Sequence, residues 1–542
     1  MANHIVSLPF NESPPVRTYS HHSHILGILM NGVGDGPYAA RFSHCSVKGT
    51  MEPSGWHCLN LSSSEDGNVE MNGDTFAFHP PVGDITGTRD TCQFVYRRLL
   101  GDGELTVRVD YIKNTSVWAK AGLMVRQSLA PDAPNAAIVL TPSHHGVRVQ
   151  FRDQPGGITH DQKAAPALFP LWLKMSVSDG VIRAHVSSDN ENWSLVWEKK
   201  DMVPGDCFIG MVATAWNNAY LDWIFCNYIQ LGCTRDFTSH LDLPVDFFLG
   251  IRNFDRNYHV NTPLINSQKI NRNLINKGFK DIVDFVKQAI DMRYYVDVIL
   301  NERFVPDREA YGWKDFPHGN IITGYSDADE VFEVAGYDQH KRFKKMPVSY
   351  DTFRTAYYAC DYVDENIFLY GISEYSEYAF DLSVIVNQLD MYLNARSPYK
   401  NYGLHQNERD DLAFGVEVYE CIKKNFGMGY RCDDLRPLNL LWEHKRMMQL
   451  RIDYLHFEKK CLSKEDYQYF RLEFDNIEKK AFLLRNMQIK YQKTSDKELM
   501  NRIITELDSM KNVEMAVLRQ MLVCLKQVLE FDAKGRKQIV RS

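Results

Sequence analysis

The stretch Gly87–Arg126, GTRDTCQFVYRRLLGDGELTVRVDYIKNTSVWAKAGLMVR, decides the fold of this chain. Polar and apolar residues alternate in Cys92–Tyr96 and Glu104–Tyr111, which indicates strands buried on one face, and Gly101–Gly103 predicts the turn between them. A third alternating run, Ala121–Arg126, follows. The two ends of the chain lack this pattern, so we predict a β-sandwich inserted into a mixed α/β host.

More short strands are predicted between residues 38 and 228. They are Ala136–Thr141, Val147–Arg152, Trp172–Ser178, Val181–Ser187, Trp193–Lys199 and Phe208–Thr214. Asp179-Gly180 lies between two of these runs and is a strong signal for a two-residue hairpin. Together the segments predict an antiparallel all-β domain.

Five segments of this region carry a resemblance: GDGELTVRV, WAKAGLMVRQSLA, VQFRDQPGG, WLKMSVSDGVIRAHVSSDNENWSLV and FIGMVATAWNNAYLDWIF. In this order they resemble the concanavalin-like domain of regulator-of-enolase-type proteins. The resemblance implies a two-sheet jelly roll of the lectin type, a fold used for glycan binding and also as a spacer. Trp118 and Trp216 are candidate substrate-binding residues, since an indole ring can stack on a sugar. The alternative interpretation makes Trp118 and Trp193 core residues.

Composition bounds the class of protein. The 542 residues are 44% hydrophobic and 24% charged, an ordinary globular composition, and the net charge is −7. We find no basic stripe and no apolar run long enough to span a bilayer, so neither nucleic acid nor membrane is expected as a partner. The 11 cysteines form no CxxC pair, and the N-terminus lacks a signal-peptide pattern. We therefore expect a reduced, cytoplasmic protein.

The host is predicted from the segments that flank the sandwich. Residues 21–32, HHSHILGILMNG, have the pattern of a short amphipathic helix. The later elements are a helix over Lys280–Asp291, a strand over Tyr294–Leu300, a hairpin of Ile321–Tyr325 with Val331–Ala335, a helix from Ser349 and a strand over Asn366–Ser373.

Three segments of the host carry a second resemblance: NYIQL at Asn227–Leu231, FPHGNIITGYSDADEVFEVAGY at 316–337, and VSYDTFRTAY at Val348–Tyr357. They resemble papain-like cysteine peptidases of the bacteriocin-processing type and, more closely, the butirosin biosynthesis protein H family. That family moves an acyl group from a carrier protein to an amino group. Its nucleophile is a cysteine near the start of the first helix, its base a histidine that opens the central hairpin, and an acid on the next strand orients the base.

The resemblance places His318 at the position of the base, but this chain departs from the family at the other two positions. No cysteine occurs near the first helix, where Ser20 and Ser23 stand instead, and Gly336 replaces the acid, with Asp338 two residues further on. A serine–histidine pair can also transfer acyl groups, whereas loss of both partners is expected of a retired active site. Both interpretations stay open. The residues assigned to the site are His318, Ser20, Ser23 and Asp338 as catalytic groups and His22 and Tyr325 as substrate-binding groups.

From about residue 407 helical periodicity replaces alternation. We predict helices over Asp410–Asn425 and Leu438–Lys460, and two long helices that open at capping boxes beginning at Ser463 and Ser495. The last two helices are expected to pack as an antiparallel hairpin, giving a three- or four-helix bundle.

The predicted fold class is thus α+β, with host segments 1–36 and 223–403, an inserted sandwich at 37–222 and a helical bundle at 404–542. The predicted function is acyl or peptidyl transfer from a carrier thioester in bacterial peptide or aminoglycoside biosynthesis, with a carrier protein or a precursor peptide as partner. The alternative is a non-catalytic protein that binds a peptide, a carrier or, at the sandwich, a glycan. We assign the histidines at 21–24 to a polar helix start and expect no metal and no cofactor.

Overall fold

The computed structural model describes residues 5–7, 40–62, 67–113, 116, 118–142, 145–166, 169–202, 205–215, 219–238, 245–248, 264–340, 342–360, 366–373, 378–398 and 411–539. Its strands are β1 (Ile5–Ser7), β2 (Ala40–Met51), β3 (His57–Leu61), β4 (Asn68–Asn72), β5 (Thr75–His79), β6 (Ile85–Thr86), β7 (Arg89–Asp90), β8 (Cys92–Ile112), β9 (Lys120–Arg126), β10 (Asn135–Leu140), β11 (Val147–Arg152), β12 (His160–Ala165), β13 (Leu171–Ser178), β14 (Val181–Ser187), β15 (Ser194–Lys200), β16 (Cys207–Thr214), β17 (Leu231–Thr234), β18 (Asp246–Phe247), β19 (Ile265–Asn271), β20 (Tyr295–Asn301), β21 (Pro317–Ser326), β22 (Val331–Tyr337), β23 (Phe343–Ser349), β24 (Asn366–Ile372) and β25 (Leu412–Phe414). Its α-helices are α1 (Ala219–Asn227), α2 (Arg272–Gly278), α3 (Ile282–Asp291), α4 (Tyr350–Tyr358), α5 (Leu382–Leu393), α6 (Glu417–Gly427), α7 (Arg436–Phe457), α8 (Lys464–Thr494) and α9 (Lys497–Ile539). The protein is α+β, as predicted.

The chain divides into two compact units. The first takes the described residues of Met1–Glu12, Ile28–Tyr220 and Ser267–Ser376, and the second takes those of Ser13–Gly27, Leu221–Asn266 and Glu377–Ser542. The structure therefore groups the chain differently from the predicted segments: residues 267–376 belong with the sandwich strands, whereas residues 221–266 belong with the C-terminal helices.

The long strand β8 organises the sandwich, and here the predicted turn is wrong. Gln93–Leu99 pairs with β16, and Gly103–Val109 pairs with β13, so one continuous strand belongs to both halves of the sandwich. Gly101 has a φ of +84°, and a Cβ at Gly103 would lie 2.6 Å from the carbonyl oxygen of Lys48 in β2. The glycines thus bend the strand and admit a close neighbour instead of reversing the chain.

The strands lie in the order β12-β11-β10-β9-β16-β8-β13-β14-β15, with β2 and β3 along the other edge of β8. A single hydrophobic cluster takes side chains from both halves of this array, including Val95, Ile138, Leu173 and Ile182, so the halves pack as two layers. The predicted hairpin at Asp179-Gly180 is confirmed, since Ser178 pairs with Val181 and both turn residues have positive φ.

The outer face of the β9–β10–β11 layer carries a buried ionic cluster, which we call the Asp90 cluster. The Asp90 carboxylate accepts hydrogen bonds from Arg126 Nη1, from Arg152 Nη2 at 2.6 Å and Nη1 at 3.2 Å, and from Asn135 Nδ2 at 3.0 Å. All four side chains have no exposed surface. Two cations therefore share one anion in the interior.

The second sheet of the first unit has the order β19-β24-β20-β21-β22-β23, and β1 pairs with the end of β21. Helix α3 packs against β20 and β21, and α4 packs against β20. Asp281 and Ser349 cap these helices by accepting hydrogen bonds from Val283 N and Thr352 N. The predicted strands and helices of this region are present, with bounds that agree to within two residues except that β21 begins at Pro317 and not at Ile321; β1, β19, β23 and α2 were not predicted.

The second unit is built from α1, α5–α9 and a small sheet of β18, β17 and β25. Helices α8 and α9 pack together as the predicted hairpin. Two predictions are wrong in detail. Residues 412–414 form β25, so the next helix begins only at Glu417, and Ser495 ends α8 in a left-handed conformation while Asp496 Oδ1 caps α9 by accepting from Glu498 N at 2.9 Å.

A buried polar cluster lies within this unit. Lys445 Nζ lies 2.6 Å from Glu514 Oε1 and 3.0 Å from His444 Nδ1, and His444 Nε2 donates to the carbonyl oxygen of Ile229 at 2.9 Å. The His444, Lys445 and Glu514 side chains are completely buried. Burial, together with the adjacent Lys445 ammonium, lowers the pKa of His444 well below its usual value. No helix among the described residues is both long enough and apolar enough to cross a bilayer.

Candidate functional site

Strand pairing brings His318 next to Glu302. His318 lies on β21 opposite Leu300 of β20, and Glu302 begins the short 3₁₀ helix that follows β20. The His318 Nδ1 atom is 3.2 Å from Glu302 Oε1. A carboxylate only accepts hydrogen bonds, so Nδ1 carries the proton and Nε2 is left as an acceptor. The imidazole is 39% exposed while Glu302 is 8% exposed, which is the arrangement of a base held by a buried orienting group.

Arg308 fixes this pair from the interior. Its Nη1 donates to the carbonyl oxygen of Tyr337 at 2.7 Å, its Nη2 donates to Asn320 Oδ1 at 2.6 Å, and its Nε lies 3.7 Å from Glu302 Oε1. Asn320 in turn donates to the carbonyl oxygen of His318 at 2.9 Å. Burial lowers the pKa of Arg308, and the nearby Glu302 opposes that shift. The guanidinium therefore connects the orienting acid to the strand that carries the base.

The predicted acid, Asp338, does not contact His318. Its carboxylate accepts from the backbone N–H groups of His340 at 2.8 Å and Arg342 at 2.9 Å, and from Arg342 Nε at 2.9 Å. Burial would raise the pKa of Asp338, but these hydrogen bonds lower it to about 2. Asp338 thus closes the turn between β22 and β23. The Arg308 side chain lies against the Cα of Gly336, where the resemblance placed the acid, and the carboxylate next to His318 is that of Glu302, in the 3₁₀ helix after β20.

Tyr325 lies far from His318 along β21, at about 23 Å for seven residues of strand. Its hydroxyl donates to Asp291 Oδ1 at 2.8 Å, and its ring is buried. Burial and the Asp291 carboxylate raise the pKa of Tyr325. Asp291, with Lys280, Asp284, Lys287 and Gln288, lines a surface cavity of about 520 Å³ along α3. Tyr325 is therefore a structural partner of that helix and does not share a site with His318.

Trp118 of the sandwich stacks on His145, with ring centroids 3.6 Å apart and an interplanar angle of 15°. Arg148 lies 5.4 Å from the centroid of the indole, and Lys120 lies 5.6 Å from it. Trp118 is half-buried, so its ring is neither a fully buried core residue nor a fully exposed stacking surface. The Trp193 Nε1 atom donates to the carbonyl oxygen of Asn190 at 3.2 Å.

The remaining predicted site residues, Ser20, Ser23, His22 and Trp216, lie outside the described residues, as does the helix predicted over 21–32. Within the described ranges, no three His, Cys, Asp or Glu side chains converge as a metal site would require. Cys226 is buried, and burial raises its pKa to about 11, which makes it a poor nucleophile.

Sequence reasoning missed Glu302 and Arg308. Glu302 directly follows a strand predicted to precede the His318 hairpin, and antiparallel pairing of the two strands would have placed it beside His318. Arg308 gives no comparable signal, because a buried arginine in a loop looks like a solvated one in sequence.

No family model and no curated protein matches this chain. Among solved structures, it is similar to a functionally unknown protein from Saccharomyces cerevisiae, with 21% identity over 29% of this chain and 86% of that chain and a TM-score of 0.24. It is also similar to a GH43_12 retrieved from capybara gut metagenome, with 14% identity over 27% of this chain and 30% of that one and a TM-score of 0.21. Both TM-scores are too low to support an argument about function.

Proposed function

We propose that the protein is an acyltransferase in which His318 is the general base and Glu302 orients it. The observation that carries the proposal is the 3.2 Å contact between His318 Nδ1 and Glu302 Oε1, which leaves Nε2 of a 39% exposed imidazole as the proton acceptor. We also propose that the sheet of strands β19–β24 is papain-like, which its antiparallel strand pairing supports. We propose further that the sandwich is concanavalin-like, which its packing in two layers supports.

In the proposed reaction, Nε2 accepts the proton of the attacking hydroxyl as its oxygen adds to the carbonyl carbon of a thioester; the resemblance assigns that hydroxyl to Ser20 or Ser23. The imidazolium gives that proton to the departing thiol. An amine then attacks the ester carbonyl carbon, Nε2 takes a proton from the amine, and the imidazolium gives it to the hydroxyl oxygen that leaves as the amide forms. Glu302 stabilises the imidazolium formed in each half-reaction. We propose that the acyl donor is a carrier protein that bears an acyl or peptidyl thioester, and that the reaction belongs to bacterial natural-product biosynthesis in the cytoplasm.

The test uses the full chain with an acyl thioester of N-acetylcysteamine and a primary amine, and measures thiol release. We expect His318→Ala to lower turnover by about 10²-fold or more and Glu302→Gln to lower it as well, because the imidazolium loses its anionic partner. His340→Ala is the matched control, since His340 is an exposed histidine of the turn between β22 and β23. Equal rates for wild type and His318→Ala would refute the proposal.

Two observations favour a second function. The Asp338 carboxylate is bound by Arg342 and does not orient His318, and the Arg308 guanidinium lies against Gly336. On this alternative the host has lost catalysis and binds a peptide or carrier, while the half-exposed Trp118 of the sandwich offers a surface for a glycan. It predicts no thiol release by any variant and a change in binding, not in turnover, for His318→Ala.

A further inference from the structure

The segment between β20 and β21, residues 302–316, exposes four large aromatic side chains, and we call it the aromatic loop. They are Phe304, Tyr311, Trp313 and Phe316. Tyr311 is 53% exposed and Trp313 is 67% exposed. Exposed aromatic residues grouped in one short segment mark a binding surface more often than a solvated loop.

The aromatic loop is held in one conformation. Its ends are joined by hydrogen bonds from Glu302 N to the carbonyl oxygen of Phe316, at 2.9 Å, and from Phe316 N to Asn301 Oδ1, at 3.0 Å. Its middle is anchored by the buried Arg308, and Gly312 N donates to the carbonyl oxygen of Arg303 at 2.9 Å. The rings are therefore presented on a preorganised support, which lowers the entropy lost when a ligand binds.

The loop is continuous with the base. The Phe316 and His318 rings stack with centroids 5.4 Å apart and an interplanar angle of 17°. A ligand that lies on Phe316 is therefore next to the His318 imidazole, as an acyl substrate has to be.

The charges around the rings define the chemistry of the ligand. The Lys314 ammonium lies 5.5 Å from the Phe316 centroid and 5.9 Å from the Trp313 centroid, where it repels a cationic ligand such as an ammonium group. The carboxylate of Asp315 is engaged by Arg303 and Asn301, and that of Glu302 by His318 and Arg308. The segment carries two further carboxylates, Asp307 and Glu309, both exposed, so charges of both signs surround the rings, and the exposed area of the rings themselves fits an apolar group.

We propose that the aromatic loop binds the acyl chain of the donor, and that this chain is apolar or aromatic. The inference rests on the proposed acyl transfer and specifies its substrate: the amine acceptor binds elsewhere, because Lys314 disfavours it here. An acyl chain laid on Trp313 and Phe316 would bring its carbonyl carbon to His318.

The experiment compares acetyl and octanoyl thioesters of N-acetylcysteamine as donors, and acetate and octanoate as ligands in calorimetry, with the full chain. For wild type we expect kcat/KM and affinity to favour the octanoyl compounds at least tenfold. Trp313→Ala should bring both ratios close to one, and Trp313→Phe should restore most of each. Tyr430→Ala removes an exposed aromatic residue of the second unit and serves as the control.

The two proposals fail in different ways. If the wild type binds octanoate no tighter than acetate, or if Trp313→Ala keeps the wild-type ratios, the inference about the acyl chain is overturned even when His318→Ala abolishes turnover. If octanoate binds through Trp313 but no thioester is turned over, the acyl-binding surface stands and the catalytic proposal is the one that fails.

Discussion

Substitution of Asp90 by asparagine should destabilise the sandwich far more than an isosteric surface change. Asp90, Arg126 and Arg152 are completely buried, and the carboxylate is the anion shared by both guanidinium groups. Asparagine keeps the shape of the side chain but removes the charge. It also turns one acceptor into an amide donor that faces the guanidinium donors.

The size of the loss in unfolding free energy depends on the hydrogen bonds that the two arginines keep. Arg126 keeps the carbonyl oxygens of Ser128 and Ala130, and Arg152 keeps that of Gly157, so neither loses every hydrogen bond. Both nevertheless become buried cations with no anion. Removal of one partner from such a pair costs about 3–5 kcal/mol, and we expect the free energy of unfolding of the sandwich to fall by that amount.

The assay is amide hydrogen exchange in the full chain, read on peptides from β9, β10 and β11, because local opening free energies separate the sandwich from the other elements. Asp206→Asn is the matched control, since the Asp206–Arg98 pair is exposed on the same domain and contributes about 0–1 kcal/mol. The reasoning is refuted if Asp90→Asn lowers protection by less than about 1 kcal/mol or no more than the control.

Two further predictions concern the second unit and the candidate site. His444 stays neutral in the folded state because its pKa is lowered, whereas it becomes protonated in the unfolded chain below about pH 6.5. The free energy of unfolding should therefore fall by up to about 1.4 kcal/mol for each pH unit below that value. His444→Gln, which can still donate to Ile229, should flatten this slope in urea unfolding between pH 7 and 5, and an unchanged slope would contradict it. Gly336→Ala would place a Cβ 2.8 Å from Arg308 Cζ and should cost about 1–3 kcal/mol, seen as faster exchange in β22; unaltered exchange would show that Arg308 can move aside.

The sequence predicted those elements whose local residue pattern is compatible with only one secondary structure. Alternating runs gave most sandwich strands, Asp179-Gly180 gave its hairpin, and Ser463 capped α8 by accepting from Asp466 N. Gly101–Gly103 misled because glycines permit both a reversal and a bend, and only the partner strands decide between them. Ser495 misled for a similar reason: Asp496, its neighbour, is an equally good cap.

The candidate site was less predictable, because its key contacts join residues from different strands. His318 was identified through a resemblance, but the acid was sought on the next strand along the chain, whereas the carboxylate that contacts His318 is that of Glu302, in the 3₁₀ helix that follows the preceding strand. The buried Arg308 that holds both depends on three-dimensional neighbours, among them the bare Cα of Gly336, which carry no periodic signal.

The continuous strand β8 also has a consequence for the order in which the chain can fold during synthesis. Two of its neighbours, β13 and β16, are translated well after it, and β16 is the last strand of the sandwich. Until the ribosome has released β16, the half of β8 that precedes Gly101 has an open edge, and pairing over such long loops is slow. A nascent chain that stops before residue 207 would thus expose a strand that invites another chain, so this protein is most vulnerable to aggregation at that point of its synthesis.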